Sequence, residues 1–179
     1  MIVRVLLCTL ALAIAQVSTA AADPLSYDDP GMHYQAPAGW ERLDLGDATG
    51  KEDSPAAVFT IDKGKVNARS VIIQIKPFDG SLNEFVSNRR GELRQGSDNV
   101  TIFINKQQPV TLANGMPAFL IEASSNSDSA PSRKSYEYLI IDGQRSIDVT
   151  YSGLVGDIND DGGKATLSSL YVVAYPKRP

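Results

Sequence analysis

Two dipeptides constrain this chain more than any other feature: Asn114-Gly115 and Asp142-Gly143. Asn-Gly and Asp-Gly are the preferred occupants of two-residue hairpin turns. Both central positions there need a positive φ, which Gly reaches freely and Asn or Asp tolerates. The first dipeptide sits between apolar, β-branched segments at 99–105 and 110–112 and another at 116–123. The second separates 134–141 from 144–151. A hairpin makes its two strands antiparallel neighbours. The C-terminal half is therefore expected to be an antiparallel sheet, with Pro109 dividing the segment before the first hairpin. Upstream, 56–62 and 70–76 add two strands, the second dominated by β-branched residues and ended by Pro77. The segment 32–37 forms a first short strand, 37–39 a turn, and the single tryptophan, Trp40, an end plug for the core.

Two helices complete the pattern. Ser81 and Glu84 have the spacing of a capping box. Leu82, Phe85, Val86 and Leu93 then share one helical face, and Gly96 can stop the helix, giving a helix over 81–95. After a Gly- and Asp-rich loop at 153–163, Leu167, Leu170, Tyr171 and Ala174 recur at helical spacing until Pro176. Polar loops are expected at 44–55 and 124–132. The class is α+β: a mainly antiparallel sheet covered by helices, in a single domain.

The N-terminus reads as an export leader. Arg4 precedes an apolar run at 5–17, and small residues at 18–22 fit a cleavage zone, after Ala22 or Ala20. At about 1.5 Å per residue such a run is too short to cross a hydrocarbon layer of about 30 Å. No stable membrane insertion of the mature chain is expected. Cys8, the only cysteine, lies inside this leader, and Leu7 stands where a lipoprotein signal needs a small residue. The expected mature chain thus has no disulfide, thiolate nucleophile or cysteine metal ligand. The expected organisation is a signal peptide over 1–22, a flexible lead-in over 23–31 and one domain over 32–179. Localisation is expected to be periplasmic or secreted. Losing Arg4 leaves 16 of the 17 basic residues against 21 acidic ones, a net charge of −5. With the basic residues scattered, that charge argues against a nucleic-acid partner.

A tyrosine followed by Pro37, Gly39 and Trp40, then a loop, a strand ending near Ile61 and Asp62, and the strand from Val71 to Ile75 resemble the opening of PsbP/Mog-like α/β sandwich proteins. The helix opening at Ser81, the strand entered through Gly115, Pro117 and Ala118, and the hairpin at Asp142-Gly143 extend the resemblance over nearly the whole mature chain. These are turn and core features, not chemistry. The resemblance implies an antiparallel sheet sandwiched between helices. It also implies roles in binding or assembly, as in photosystem II subunits, Ran-binding proteins and exported bacterial proteins of undefined role. It does not imply one activity.

No residue pattern specifies catalysis, and the chain is expected not to be an enzyme. His33 is the only histidine and no nucleophile elbow accompanies it, so it is expected as a half-exposed strand residue. Asp28 and Asp29 fall in the lead-in, Asp142 serves a turn, and Glu122 alternates with Leu120 so as to face solvent. Asp157, Asn159, Asp161 and Gly162 match the first half of an EF-hand loop, D-x-[DN]-x-[DN]-G. Asp157, Asn159 and Asp161 are the candidate metal ligands, for weakly held calcium. Position twelve, however, is Ser168 instead of the bidentate Glu. The competing reading is a loop ending in a helix N-cap at Asp160 or Asp161. No other cofactor is expected.

The sequence thus supports an exported, non-enzymatic binding or assembly module whose protein or small-ligand partner is unknown. Two alternatives stay open. One is an exported hydrolase using carboxylates or a metal, which needs a pocket with at least two acidic groups of shifted pKa. The other is a small-ligand or lipid carrier, which needs an apolar cavity.

Overall fold

Both hairpins form, but only the glycine of each dipeptide takes a positive φ: Asn114 and Asp142 stay outside the left-handed region, and the second turn closes between Asp142 and Arg145 with Gly143 and Gln144 at its centre. In the computed structural model, which describes residues 26–46, 54–96 and 99–173, Gly115 and Gly143 adopt φ of 86° and 108°. The first hairpin joins β6 (Val100–Thr111) to β7 (Pro117–Ser127), and the second joins β8 (Arg133–Ile141) to β9 (Arg145–Leu154). Earlier in the chain come β1 (Ser26–Asp29), β2 (Met32–Gln35), β3 (Glu41–Arg42), β4 (Ala57–Ile61) and β5 (Arg69–Pro77). The helices are α1 (Leu82–Gln95) and α2 (Asp160–Ser169), and β10 (Leu170–Val172) follows α2 directly. One sheet has seven strands in the order β3-β4-β5-β9-β8-β7-β6, with antiparallel pairing throughout. A second has three, in the order β1-β2-β10.

The period-two alternation sorts side chains into two interiors. On one face of the large sheet, Phe59, Val71, Ile73, Tyr138, Ile147 and Val149 meet Met32 and Tyr34 of β2 and Leu170 and Val172 of β10. On the other face, Ile121 and Leu139 meet Val86 and Leu93 of α1, flanked by Leu82, Phe85 and Phe119. The molecule is therefore layered: the small sheet with α2, the large sheet, then α1.

α1 begins as its sequence requires. The Ser81 hydroxyl accepts from the Glu84 N–H and the Glu84 carboxylate accepts from the Ser81 N–H, while Gly96 at φ 60° closes the helix. α2 carries Gly162 and Gly163 in its first turn because its backbone lies directly on two tyrosines. A Cβ at Gly162 would come within 2.7 Å of the Tyr151 hydroxyl, and one at Gly163 within 2.9 Å of the Tyr136 ring.

Four segments depart from the sequence expectation. Residues 26–29 of the expected lead-in form β1, paired with β2 so that Asp28 faces His33. β6 runs unbroken through Pro109, because β6 is an edge strand and the missing N–H costs no ladder bond there. β7 continues into the expected loop as far as Ser127, paired with both β6 and β8 up to Ser125 and with β6 alone beyond, which outweighs the turn-favouring composition. The last helix ends at Ser169, and Leu170 and Tyr171, expected in it, extend along β2. Two apolar residues placed three apart by a helix are here placed two apart by a strand: Leu170 and Val172 are buried and Tyr171 is exposed. The leader with Cys8, most of the loop at 44–55, and Ala174 and Pro176 lie outside the described residues. Among the described residues no helix is long and apolar enough to cross a membrane.

Candidate functional site

α1 lies over β6, β7 and β8. On the same face, β9, β5 and β4 carry no helix among the described residues. That uncovered half mixes hydroxyls with the half-buried Val58 and Ile72, where the opposite face is apolar throughout its centre. In register across it run Ser135, Ser152, Ser70 and Thr60, one residue from each of β8, β9, β5 and β4. The result is a trough floored by sheet and walled on one side by α1.

Arg89 projects from α1 onto this floor. Its guanidinium donates to both carboxylate oxygens of Glu137 at 2.9 and 3.2 Å, and to Glu92 at 2.9 Å. Asp148 lies 3.7 Å away and accepts from the Thr150 hydroxyl at 3.0 Å. Glu137 and Asp148 are only 3% and 8% exposed. Two buried carboxylates thus share one cation, and the surplus charge appears in the acid–base behaviour. Burial first, and the neighbouring Glu137 charge second, push the Asp148 carboxyl up to about 7 against the opposing pull of Arg89. For Arg89 burial works to lower the pKa, but Glu137 and Asp148 outweigh it and hold the guanidinium charged.

Arg89 divides the trough into two cavities. One, about 80 Å³, is bordered by Gln74, Lys76, Ser146 and Asp148. The other, about 210 Å³, lies under the C-terminal half of α1 and is lined by Leu93, Ile102, Ser125, Arg133, Ser135 and Ser152. With Arg89, Arg133 and Glu137 among its walls and room for only a few heavy atoms, it is not the large apolar vault a lipid carrier needs. The first cavity holds acidic groups as a carboxylate hydrolase would, but it has room for only two or three waters at about 30 Å³ each.

The sequence reading missed this site. Glu137 stands between Tyr136 and Tyr138, and Asp148 between Ile147 and Val149, so each is a lone acid in an apolar strand. Counting back from a turn centred on Asp142-Gly143 pairs Glu137 with Asp148, and the observed register, centred on Gly143-Gln144, pairs Leu139 with Asp148 and Glu137 with Thr150. Either count places both acids on one face, a signal readable from sequence once the hairpin is accepted.

The residues singled out earlier lie elsewhere. Asp157 and Asn159 are exposed, and the Asn159 side chain accepts from the Gly162 N–H at 2.9 Å. Asn159 is thus the N-cap of α2, in place of Asp160 or Asp161. Asp161 projects from the helix toward Lys164, 3.8 Å away. Gly162 lies inside α2 and not at a left-handed turn, so the backbone is not wound as an EF-hand loop. Among the described residues no group of three or more acidic, His or Cys side chains converges to hold a metal. His33 is half-exposed, with Nδ1 2.6 Å from Asp28, whose other oxygen accepts from the Ser26 hydroxyl. The serine bonds the carboxylate and not the imidazole, so it is not activated as a nucleophile. Glu122, expected to face solvent, is largely buried in an ion pair with Lys134 at 2.7 Å. Asp142 anchors its turn as expected and is fully buried, accepting from the Arg145 N–H and guanidinium.

No family model and no curated protein sequence matches the chain. Solved structures do. Cyanobacterial PsbP (CyanoP) from Synechocystis sp. PCC 6803 superposes with a TM-score of 0.62 at 17% identity, over 89% of this chain and 98% of that one. LpqN of Mycobacterium tuberculosis, a protein involved in cell envelope biogenesis, gives 0.57 at 13% identity, over 84% and 89%. PA94 from Pseudomonas aeruginosa, described as of unknown function, gives 0.52 at 11% identity, over 87% and 98%. At such identities the shared property is the fold, which carries no activity with it. The element order, the antiparallel sheet between layers and these near-full-length superpositions show that the chain has the fold of PsbP-like proteins, an α/β sandwich.

Proposed function

We propose that this protein is an exported, non-catalytic accessory module of the cell envelope that docks a partner into the trough beside α1. The observation that carries the proposal is the half-covered sheet. A sheet face normally buries itself against another layer, yet among the described residues α1 covers three of these strands and leaves β9, β5 and β4 with a floor of hydroxyls and the half-buried Val58 and Ile72. The leader-like N-terminus supports export. The envelope role printed for LpqN, a structural neighbour, supports the compartment.

The expected mature chain has no thiol, which makes a cysteine-based experiment clean. Gln74→Cys or Ser152→Cys, armed with a photocrosslinker in intact cells, is expected to yield a discrete adduct. Lys106→Cys on the edge strand β6 is expected to yield none. Equal crosslinking from all three positions, or none from any, would count against the proposal.

A further inference from the structure

We infer that the larger cavity is a binding site for a small oxyanion, a carboxylate or phosphate group, held by Arg133. This rests on and deepens the docking proposal, since Ser135 and Ser152 belong both to the cavity wall and to the trough floor. Two guanidinium groups, Arg89 and Arg133, face one carboxylate, Glu137, in it, while the Lys134 ammonium lies over the Tyr136 ring on the opposite face of the sheet. Two of the cations are already engaged: Arg89 by Glu137 and Lys134 by Glu122. Arg133 is not. It donates to the Ala68 carbonyl at 3.3 Å and has no carboxylate partner among the described residues. A guanidinium presents five N–H donors in a fixed fork suited to two oxygens of one anion. The Ala68 carbonyl orients this fork while leaving other donors unused.

Hydroxyls complete the donor set. Ser125 stands directly across the β7–β8 ladder from Arg133, and Ser135 pairs with Ser152 across β8–β9. The Ser125 and Ser135 hydroxyls have no partner among the described residues, and the Ser152 hydroxyl is shared with Ser70 at 3.1 Å. Leu93 and Ile102 supply an apolar wall for a few carbons. At about 210 Å³ the cavity falls below the roughly 300–1,000 Å³ of sites for drug-sized ligands. A small organic acid, inorganic phosphate or a lipid headgroup fits, and a lipid tail does not.

The test uses the full-length chain, with its leader left to the host to process, and amide-resolved NMR titration with inorganic phosphate and, separately, acetate. Shifts confined to β7, β8, β9 and the end of α1 are expected. Arg133→Gln is expected to weaken binding about tenfold or more, as removal of a charge-assisted hydrogen bond does. Arg133→Lys is expected to retain part of it. Should Arg133→Gln unfold, Ser135→Ala with Ser152→Ala gives a second reading, with weaker binding on the same amides. Flotation with phosphatidylglycerol vesicles, lost in Arg133→Gln, would assign the oxyanion to a headgroup. Shifts with phosphate but no flotation would assign a free anion. The inference is overturned if neither anion shifts these amides at millimolar concentration, or if Arg133→Gln binds as well as the parent. Overturning it while crosslinking from Gln74→Cys persists would leave the docking proposal intact. Retained anion binding without crosslinking would do the reverse.

Discussion

Asp148 and Glu137 show how much one unmatched charge can determine. A carboxylic acid whose folded pKa is raised binds its proton more tightly folded than unfolded. Between its ordinary value of 3.8 and about 7, the folded state therefore holds more protons, and stability falls as pH rises across that window. The penalty is absent below the window, complete above it, and at most about 4 kcal/mol at about 1.4 kcal/mol per unit. Asp148→Asn is expected to stabilise the protein at pH 8 and to flatten its stability between pH 5 and 8, read by urea denaturation at several pH values. An unchanged pH slope would remove this account of the pair. Arg89→Met does the opposite. It strands two buried carboxylates and is expected to cost about 3–5 kcal/mol at neutral pH, with part of the loss recovered under mild acid. Neither effect was visible from composition, because a net charge says nothing about which acids share a cation.

Among the elements, local chemistry dictated the ends better than the middles. The Ser81–Glu84 box formed as its residues require, and both hairpins turned where the Asn114-Gly115 and Asp142-Gly143 dipeptides stand, though with only the glycines at positive φ. Pro109 and the Ser-rich end of β7 were misjudged because an edge position and a two-sided ladder are tertiary facts. Leu170 and Tyr171 were misjudged for the same reason: β2, nearly 140 residues upstream, supplies the pairing that makes them a strand. The α2 glycines carry a related lesson. In an isolated helix, Gly→Ala gains up to about 1 kcal/mol. Here the added methyl meets a tyrosine ring, and Gly163→Ala is expected to lose about 1–3 kcal/mol by overpacking. A stabilised Gly163→Ala in denaturant titration would show that Tyr136 yields easily. Asn159→Ala is expected to cost about 1 kcal/mol by removing the cap.

For the molecule as a whole, sequence pattern sufficed for the class, the antiparallel sheet and the family likeness, since those rest on periodicity and turns. The candidate site could not be read the same way. It is assembled from α1, β8 and β9, which meet only in space, and its signal is one acid per strand. Export remains the premise of the proposed role. N-terminal sequencing of the processed protein is expected to begin at Asp23, or at Ala21 if cleavage follows Ala20, whereas a cytosolic chain retaining Met1 would remove the envelope from the account. The central claim, that the uncovered half of the sheet is where a partner sits, is tested most directly by thiol labelling. In purified protein, cysteine at Gln74 or Ser152 should label readily. In the intact envelope both should label at least about tenfold more slowly, as for sites closed by a bound partner, while cysteine at Lys106 labels equally in both settings. Equal labelling of the trough positions in the two settings would contradict the claim.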